Sequence, residues 1–216
     1  MVLDKPPFMA THPSSGHYTG TLANALVARY GTLFHARFIN RLDRNTSGVV
    51  LVARDPLSAS ALSRSMAKGE MQKTYFALVT GKMPPAGCIE TGIRRRPESI
   101  MLRETCAIGE GDWSRTEYET IYADEAYSLV RLMPKTGRTH QLRVHMAHVG
   151  HPLLGDDLYG DGEGMARHAL HAAVLRFPWN GEEIEVRAPL PLDMKQKIAE
   201  LGREATELVE EDKMQA

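Results

Sequence analysis

The pattern of apolar and polar residues divides most of the chain into short strands and a few helices. Helical apolar spacing over residues 19–31 and 56–69 predicts two helices, each of which ends at a glycine. Runs rich in β-branched, aromatic and apolar residues predict strands at residues 49–53, 73–81, 115–122, 127–133, 169–177 and 182–188. This mixture lacks a repeated strand–helix–strand order. It therefore predicts a single-domain α+β fold with a central mixed, mainly antiparallel sheet and flanking helices.

Two further segments are less regular. Residues 82–114 contain prolines and glycines at several positions, which predicts a long irregular connection. Residues 191–216 predict a charged surface helix that runs into an acidic tail.

Composition and charge exclude several classes of protein. A chain of 216 residues with 43% hydrophobic content can bury one substantial core. It has only two cysteines, at no metal-ligand spacing, and neither a signal peptide nor a long apolar span, so we expect a reducing, cytoplasmic setting and no membrane partner. The formal net charge is -1, but residues 182–216 hold 5 basic and 10 acidic residues, which leaves 21 and 17 in residues 1–181. The acidic balance is thus a property of the C-terminus and does not exclude a nucleic acid as partner.

The stretch RLDRNTSG, residues 41–48, places Asp43 between Arg41 and Arg44. Neighbouring guanidinium groups favour an ionised carboxylate, and an ionised aspartate can act as a nucleophile. The same residues are also typical of a turn in which Asp43 and Asn45 only shape the backbone. On these residues alone, both interpretations remain open.

A second stretch, residues 134–160, concentrates hydrogen-bond donors that suit phosphate and sugar contacts. His145, His148 and His151 recur there every three residues, and could in principle bind a metal. No cysteine or well-spaced carboxylate completes a ligand set on the same face, so we expect histidines satisfied at packing interfaces and no metal. Tyr75, taken alone, is typical of the core of a strand.

Together, four stretches resemble the RluA-like family of pseudouridine synthases over nearly the whole chain. They are DKPPFMATHP at 4–13, RLDRNTSG at 41–48, KTY at 73–75 and TGRTHQLRVHMAHVGHPLLGDDLYG at 136–160. The order of RLDxxTSG and GRTHQLRVH is typical of this branch. The resemblance implies the pseudouridine synthase fold with a catalytic cleft. It places the catalytic domain at residues 1–200 and an acidic helix end and tail at residues 201–216.

The resemblance also implies a reaction and its residues. The enzyme detaches a uracil from its ribose, rotates it and rejoins it through carbon 5, without cofactor or metal. Asp43 matches the catalytic nucleophile, Arg138 the arginine that pairs with it, and Tyr75 the tyrosine that stacks on the target base. Arg41 matches the side chain that fills the place of the flipped nucleotide. The other candidates for substrate binding are Thr46, Lys73, His140, Gln141 and Arg143.

Two features depart from the family pattern. Asn40 stands where the family commonly has histidine, and the chain opens almost directly on the first motif, so we expect no appended N-terminal RNA-binding domain. RNA contacts should then come from the catalytic domain, with Arg94, Arg95 and Arg96 as candidates for phosphate contacts.

We therefore predict a cytoplasmic monomer that isomerises uridines in structured ribosomal or transfer RNA. One alternative is a non-catalytic RNA-binding or RNA-chaperone protein with the same fold. Another is a metal-dependent hydrolase that uses the histidines.

Overall fold

The computed structural model describes residues 1–14, 16–202 and Glu207, and the predicted helices and strands occupy most of this part of the chain. The helices are α1 (Leu22–Tyr30), α2 (Pro56–Ala67), α3 (Gln141–His148) and α4 (Leu192–Glu200). The strands are β1 (Val2–Lys5), β2 (Arg37–Phe38), β3 (Ser47–Ala53), β4 (Gln72–Thr80), β5 (Ala86–Arg95), β6 (Arg103–Cys106), β7 (Asp112–Ala123), β8 (Tyr127–Pro134), β9 (Leu170–Trp179) and β10 (Glu182–Arg187).

Local side-chain chemistry defines the ends of the first helix. The Thr21 hydroxyl accepts a hydrogen bond from the Asn24 backbone N–H, and the Asn24 side chain accepts one from the Thr21 N–H. This capping box satisfies two donors that a helix start leaves without partners. Gly31, with φ 89°, ends the helix, as the sequence predicted.

The α+β fold is confirmed, and the chain forms two compact units. The first unit comprises Met1–Lys73 and His171–Pro189, and the second comprises Thr74–Leu170 and the described residues from Leu190 onward.

In the first unit, β3 is the central strand, and all seven of its residues are buried. It pairs with β1 and β2 in antiparallel fashion and with β9 in parallel, and β10 extends this sheet beyond β9. A continuous apolar run of this kind is typical of a strand covered on both faces. The core of the unit includes Ile39, Leu51, Leu62, Met71, Leu175 and Phe177.

In the second unit, the strands follow the order β4-β8-β7-β5-β6 and all pair in antiparallel fashion. Its core includes alternate residues of β4 and β8 and two residues of α3: Ala77, Val79, Val130, Leu132, Leu142 and Met146. The period of two along β4 and β8 follows from the pleat, which directs alternate side chains to one face.

The prediction of an irregular connection at residues 82–114 is wrong, because this segment forms β5, β6 and the start of β7. Two of its glycines, Gly87 and Gly92, mark close packing inside the sheet. A Cβ atom on Gly87 would lie 2.6 Å from the Tyr118 hydroxyl, and one on Gly92 would lie 2.7 Å from the Ala107 carbonyl oxygen. A glycine within a strand can report such an approach as readily as a turn.

The predicted C-terminal helix begins as α4. Within the predicted tail, residues 203–206 and 208–216 lie outside the described residues. The described part of the chain has no helix of the length and hydrophobicity needed to cross a membrane.

Candidate active site

Asp43 lies on a tight turn immediately before β3. The Thr46 backbone N–H donates to the Asp43 carbonyl oxygen at 3.1 Å, which closes the turn. Asp43 is half-buried, whereas its neighbours Arg41 and Arg44 are exposed. Thr46, a predicted substrate contact, is only 2% exposed, and its contact with the substrate stays a prediction.

Behind the turn, the backbone packs directly on β9. Gly48 has φ +113°, and a Cβ there would lie 2.1 Å from the Ala172 carbonyl oxygen, so only glycine fits. The Ser47 hydroxyl lies 2.9 Å from His171 Nδ1, and His171 Nε2 lies 3.1 Å from the Ala188 carbonyl oxygen. Because a carbonyl only accepts, His171 Nε2 carries a hydrogen and donates it to Ala188.

A buried ammonium group holds the other side of the turn. Lys5 is 0% exposed, and its Nζ donates to the carbonyl oxygens of Pro6 at 2.9 Å and Met9 at 2.8 Å. It also donates to the Arg44 carbonyl oxygen at 3.2 Å. Lys5 therefore connects the N-terminal segment to the residue that follows Asp43.

Two further side chains fix the backbone around the turn. The Thr11 hydroxyl donates to the Leu42 carbonyl oxygen at 2.9 Å and accepts from the Leu42 N–H at 3.3 Å. The Asn40 amide donates to the Val49 carbonyl oxygen at 3.0 Å and accepts from the Leu51 N–H at 2.7 Å. Asn40 thus bonds to β3 as a neighbouring strand would, which gives a physical reason for an amide at this position.

Sequence reasoning did not assign roles to Lys5, Thr11 or His171. A signal was nevertheless present, because Lys5 and Thr11 belong to the stretch DKPPFMATHP and His171 belongs to the strand predicted at residues 169–177.

Tyr75 lies on β4 in the second unit. It is half-buried, stands opposite Leu132 of β8 and packs against the core that includes Leu142 and Met146 of α3. Lys73, two residues earlier, belongs to the first unit and is half-buried, and its burial lowers the pKa of its ammonium group.

Arg138 is exposed in the segment before α3. Its Nε donates to the Trp113 carbonyl oxygen at 3.1 Å, and one guanidinium nitrogen lies 4.0 Å from the Asp112 carboxylate. The Gln141 side-chain oxygen accepts from the Arg138 backbone N–H at 3.0 Å, which fixes this segment. Arg138 belongs to the second unit and Asp43 to the first, and their pairing stays a prediction.

Gln141 and Arg143, two of the predicted substrate contacts, are each only 4% exposed. Arg143 donates from Nε and a terminal nitrogen to the two Asp156 carboxylate oxygens, at 2.7 and 2.6 Å. Burial raises the pKa of Asp156, but the hydrogen bond and charge of Arg143 outweigh it and hold this pKa below its usual value. This pair fixes the Arg143 guanidinium inside the second unit, and the substrate contacts of Gln141 and Arg143 stay predictions.

His140 begins α3 in the left-handed conformation, with φ 57°. The Tyr159 hydroxyl accepts from the Arg103 backbone N–H at 2.9 Å, and its oxygen lies 2.8 Å from His140 Nδ1. Because the ring is half-buried, His140 stays a candidate for substrate contact.

The three regularly spaced histidines bind different partners. His148 lies 3.1 Å from the Thr105 hydroxyl, and His151 Nδ1 donates to the Thr80 carbonyl oxygen at 2.8 Å. His145 is 0% exposed. Among the residues that the structure describes, no group of three or more His, Cys, Asp or Glu side chains is arranged to hold a metal ion.

The family model described as RNA pseudouridylate synthase matches residues 1–148. The chain belongs to this family. It is 37% identical over 213 residues to an uncharacterized RNA pseudouridine synthase of Chloroflexus aurantiacus, covering 94% of this chain and 67% of the relative. It is 35% identical over 221 residues to the ribosomal large subunit pseudouridine synthase D of Haemophilus ducreyi, covering 93% and 67%.

The solved structure of human RNA pseudouridylate synthase domain containing 1 is similar, with a TM-score of 0.73 and 31% identity, over 91% of this chain and 82% of that one. The predicted RluA-like resemblance and the activity of an RNA pseudouridine synthase are thereby confirmed.

The arginines proposed for phosphate contact are partly neutralised in the synthase. Arg94 lies 2.8 Å from the Glu104 carboxylate and 3.7 Å from that of Glu110, and Arg96 lies 3.8 Å from Glu104. Arg95 is exposed. The positive charge of this segment is therefore smaller than its sequence implies.

His145 is a neutral part of the scaffold that supports α3. The Ser114 hydroxyl donates to the Thr91 carbonyl oxygen at 2.9 Å, so its oxygen accepts from His145 Nε2 at 2.8 Å. The Thr116 hydroxyl accepts from the Gln141 amide at 3.0 Å, and its oxygen lies 2.9 Å from His145 Nδ1. Burial lowers the pKa of His145 to about 4, so at pH 7 the ring carries one hydrogen, on Nε2, and Nδ1 accepts from the Thr116 hydroxyl.

We expect Lys5→Met to destabilise the synthase by about 3 kcal/mol, because it removes a buried donor that bonds to three backbone carbonyl oxygens. Urea unfolding of the parent and the variant measures this difference. Lys68→Met is the control, because Lys68 is exposed and its ion pair with Glu70 is long, at 3.7 Å. This substitution should lower stability by less than about 1 kcal/mol. Equal stability of Lys5→Met and the parent would contradict this role.

Stability should also depend on pH through His145, whose pKa is lowered from 6.5 to about 4 by burial and, secondarily, by the charge of His148. Above pH 6.5, the pKa of His145 in the unfolded chain, the ring is neutral in both the folded and the unfolded protein. As the pH falls, the ring in the unfolded chain binds a proton first, so stability is lost until the pH reaches the folded pKa of about 4.

Between about pH 7.5 and 4, protonation of His145 should lower the free energy of unfolding by about 3 kcal/mol. Urea unfolding at both pH values should show that the parent loses about this much more stability than His145→Gln does. A parallel loss in the two proteins would assign the proton to another group.

Proposed function

We propose that this synthase isomerises uridine in structured ribosomal or transfer RNA, with Asp43 as the nucleophile at the ribose. The observation that carries the proposal is the half-buried Asp43 on a turn whose backbone is fixed by Lys5, Thr11 and Asn40. Fixing a reacting group before the substrate binds removes an entropic cost from the reaction. A carboxylate that served only to form a surface turn would not need this support.

In the proposed reaction, the Asp43 carboxylate displaces N1 of uracil from C1′ of the ribose, and C5 of the rotated base then displaces Asp43 from C1′. The proton on C5 is lost and N1 gains one, so the reaction balances without a cofactor. Tyr75 holds the detached base by stacking, and its hydroxyl takes part in the proton transfer. Arg138 stabilises the Asp43 carboxylate, and Arg41 occupies the place of the flipped nucleotide.

Lys73 and His140 complete the proposed set of substrate contacts. Both are half-buried, so each presents part of its side chain to solvent. Burial lowers the pKa of Lys73, and a nearby phosphate would act in the opposite direction.

Ribosomal RNA is the first target to test, since the name of the relative from Haemophilus ducreyi specifies the ribosomal large subunit. We further propose a monomer that works in the cytoplasm. The two free thiols, Cys88 and Cys106, are consistent with a reducing compartment.

Purified protein should convert uridine to pseudouridine in cellular RNA without added metal or nucleotide. Pseudouridine mapping of RNA from cells with and without the gene identifies the target, and a transcript that contains it then serves as substrate. A chelator should leave the rate unchanged. Loss of activity with the chelator and recovery with zinc would refute the mechanism.

Asp43→Asn should lower single-turnover conversion by several orders of magnitude, because it keeps the size of the side chain but removes the nucleophile. RNA affinity should stay within about tenfold of the parent, since the lost interaction acts mainly in the transition state. The measurements are conversion at saturating enzyme and the dissociation constant for the same RNA.

Asp4→Asn is the matched control, as Asp4 is an exposed carboxylate of β1 in the same unit. Near-parental conversion by a folded Asp43→Asn protein would defeat the assignment.

A further inference from the structure

A cluster of aromatic and basic side chains lies at the C-terminal end of α1, in the first unit. We call Arg29, Tyr30, Phe34 and Arg54 the Tyr30 surface. The guanidinium carbons of Arg29 and Arg54 lie 5.7 and 5.8 Å from the centroid of the Tyr30 ring. The Phe34 ring lies 4.9 Å from the Tyr30 ring at an interplanar angle of 36°.

This cluster is open to solvent. Tyr30 is 46% exposed, and the adjacent Leu33 is 91% exposed. Arg29 and Arg54 are exposed as well. The buried residues of α1, Leu22 and Leu26, anchor the helix, so the ring of Tyr30 is presented from a supported element.

The charge of the Tyr30 surface is not neutralised by carboxylates. Neither Arg29 nor Arg54 forms an ion pair with any residue that the structure describes. In the second unit, by contrast, Arg94, Arg115 and Arg143 each pair with a carboxylate. Residues 1–54 hold six lysines and arginines and only two acidic residues.

An exposed aromatic ring beside uncompensated guanidinium groups matches the chemistry of single-stranded nucleic acid. A base stacks on the ring in a manner that tolerates any sequence, and the guanidinium groups bind the flanking phosphates. The arginines also polarise the ring through cation–π contact. A duplex offers the phosphates but no free base face.

We propose that the Tyr30 surface binds a single-stranded segment of the RNA substrate outside the target nucleotide. One base stacks on Tyr30, and the neighbouring phosphates contact Arg29 and Arg54. The inference rests on RNA as the substrate and extends the proposed function, because it adds a contact that the reaction itself does not use.

The test uses fluorescein-labelled oligoadenylate of about twelve nucleotides, which fits the site sizes known for single strands and contains no uridine. Tyr30→Ala should weaken its binding about tenfold, and Tyr30→Phe should bind as the parent does, since stacking needs only the ring. A duplex of the same length should bind the parent and Tyr30→Ala equally.

The double variant Arg29→Gln, Arg54→Gln should weaken binding and reduce the slope of log K against log salt by about 1.4, as expected for two lost phosphate contacts. Arg64→Gln is the matched control, because Arg64 is an exposed arginine of α2 that bonds to the Ser60 hydroxyl. Arg64→Gln should also match the parent in single-turnover conversion.

Parental affinity of Tyr30→Ala for oligoadenylate would overturn the inference. So would an equal effect of Arg64→Gln, which would indicate a general dependence on charge. If Tyr30→Ala unfolds below the assay temperature, the Arg29→Gln, Arg54→Gln variant serves as the test. An unchanged salt slope of that variant would refute binding of RNA at the Tyr30 surface. Absence of uridine conversion by the parent would instead refute the proposed function, whatever the result with oligoadenylate.

Discussion

The buried ammonium of Lys5 is the interaction on which the position of the Asp43 turn depends. Withdrawing a charge from water is costly unless strong hydrogen bonds replace the lost hydration. Lys5 receives this replacement from three backbone carbonyl oxygens, two of them in the N-terminal segment and one at Arg44. The geometry that satisfies the ammonium is therefore also the geometry that locates the residue after Asp43. An apolar side chain of similar length would fill the volume but leave the carbonyls unpaired.

The second unit fixes its own candidate residues by the same principle, but with neutral groups. Gln141 and His145 bond to threonine and serine hydroxyls inside the unit, and Gln141 holds the backbone of Arg138. A fully connected buried network of this kind specifies one arrangement, because each lost partner leaves another group unsatisfied. Exposed ion pairs, which are numerous on this protein, contribute little by comparison.

Much of the fold could be predicted from the sequence, because the apolar strands around β3, β4, β8 and β9 carry strong local signals. The segment at residues 82–114 could not, since glycines that permit close approach look the same in sequence as glycines in turns. The partners of individual hydrogen-bond donors could not be predicted from the sequence either. Arg143 looks suited to phosphate until Asp156, thirteen residues later, is seen to hold it from both oxygens. A linear pattern shows which groups are present, but not which of them bind one another.

The parallel pairing of β3 with β9 has a consequence for how the protein acquires activity. Gly48 rests on Ala172, and Ser47 bonds to His171, a separation of 124 residues along the chain. Contacts this distant form late, because a long loop must close before they can be made. A nascent chain emerging from the ribosome thus carries Asp43 long before the strand that supports it has been synthesised. The turn that carries Asp43 therefore gains this support only after β9 has been synthesised.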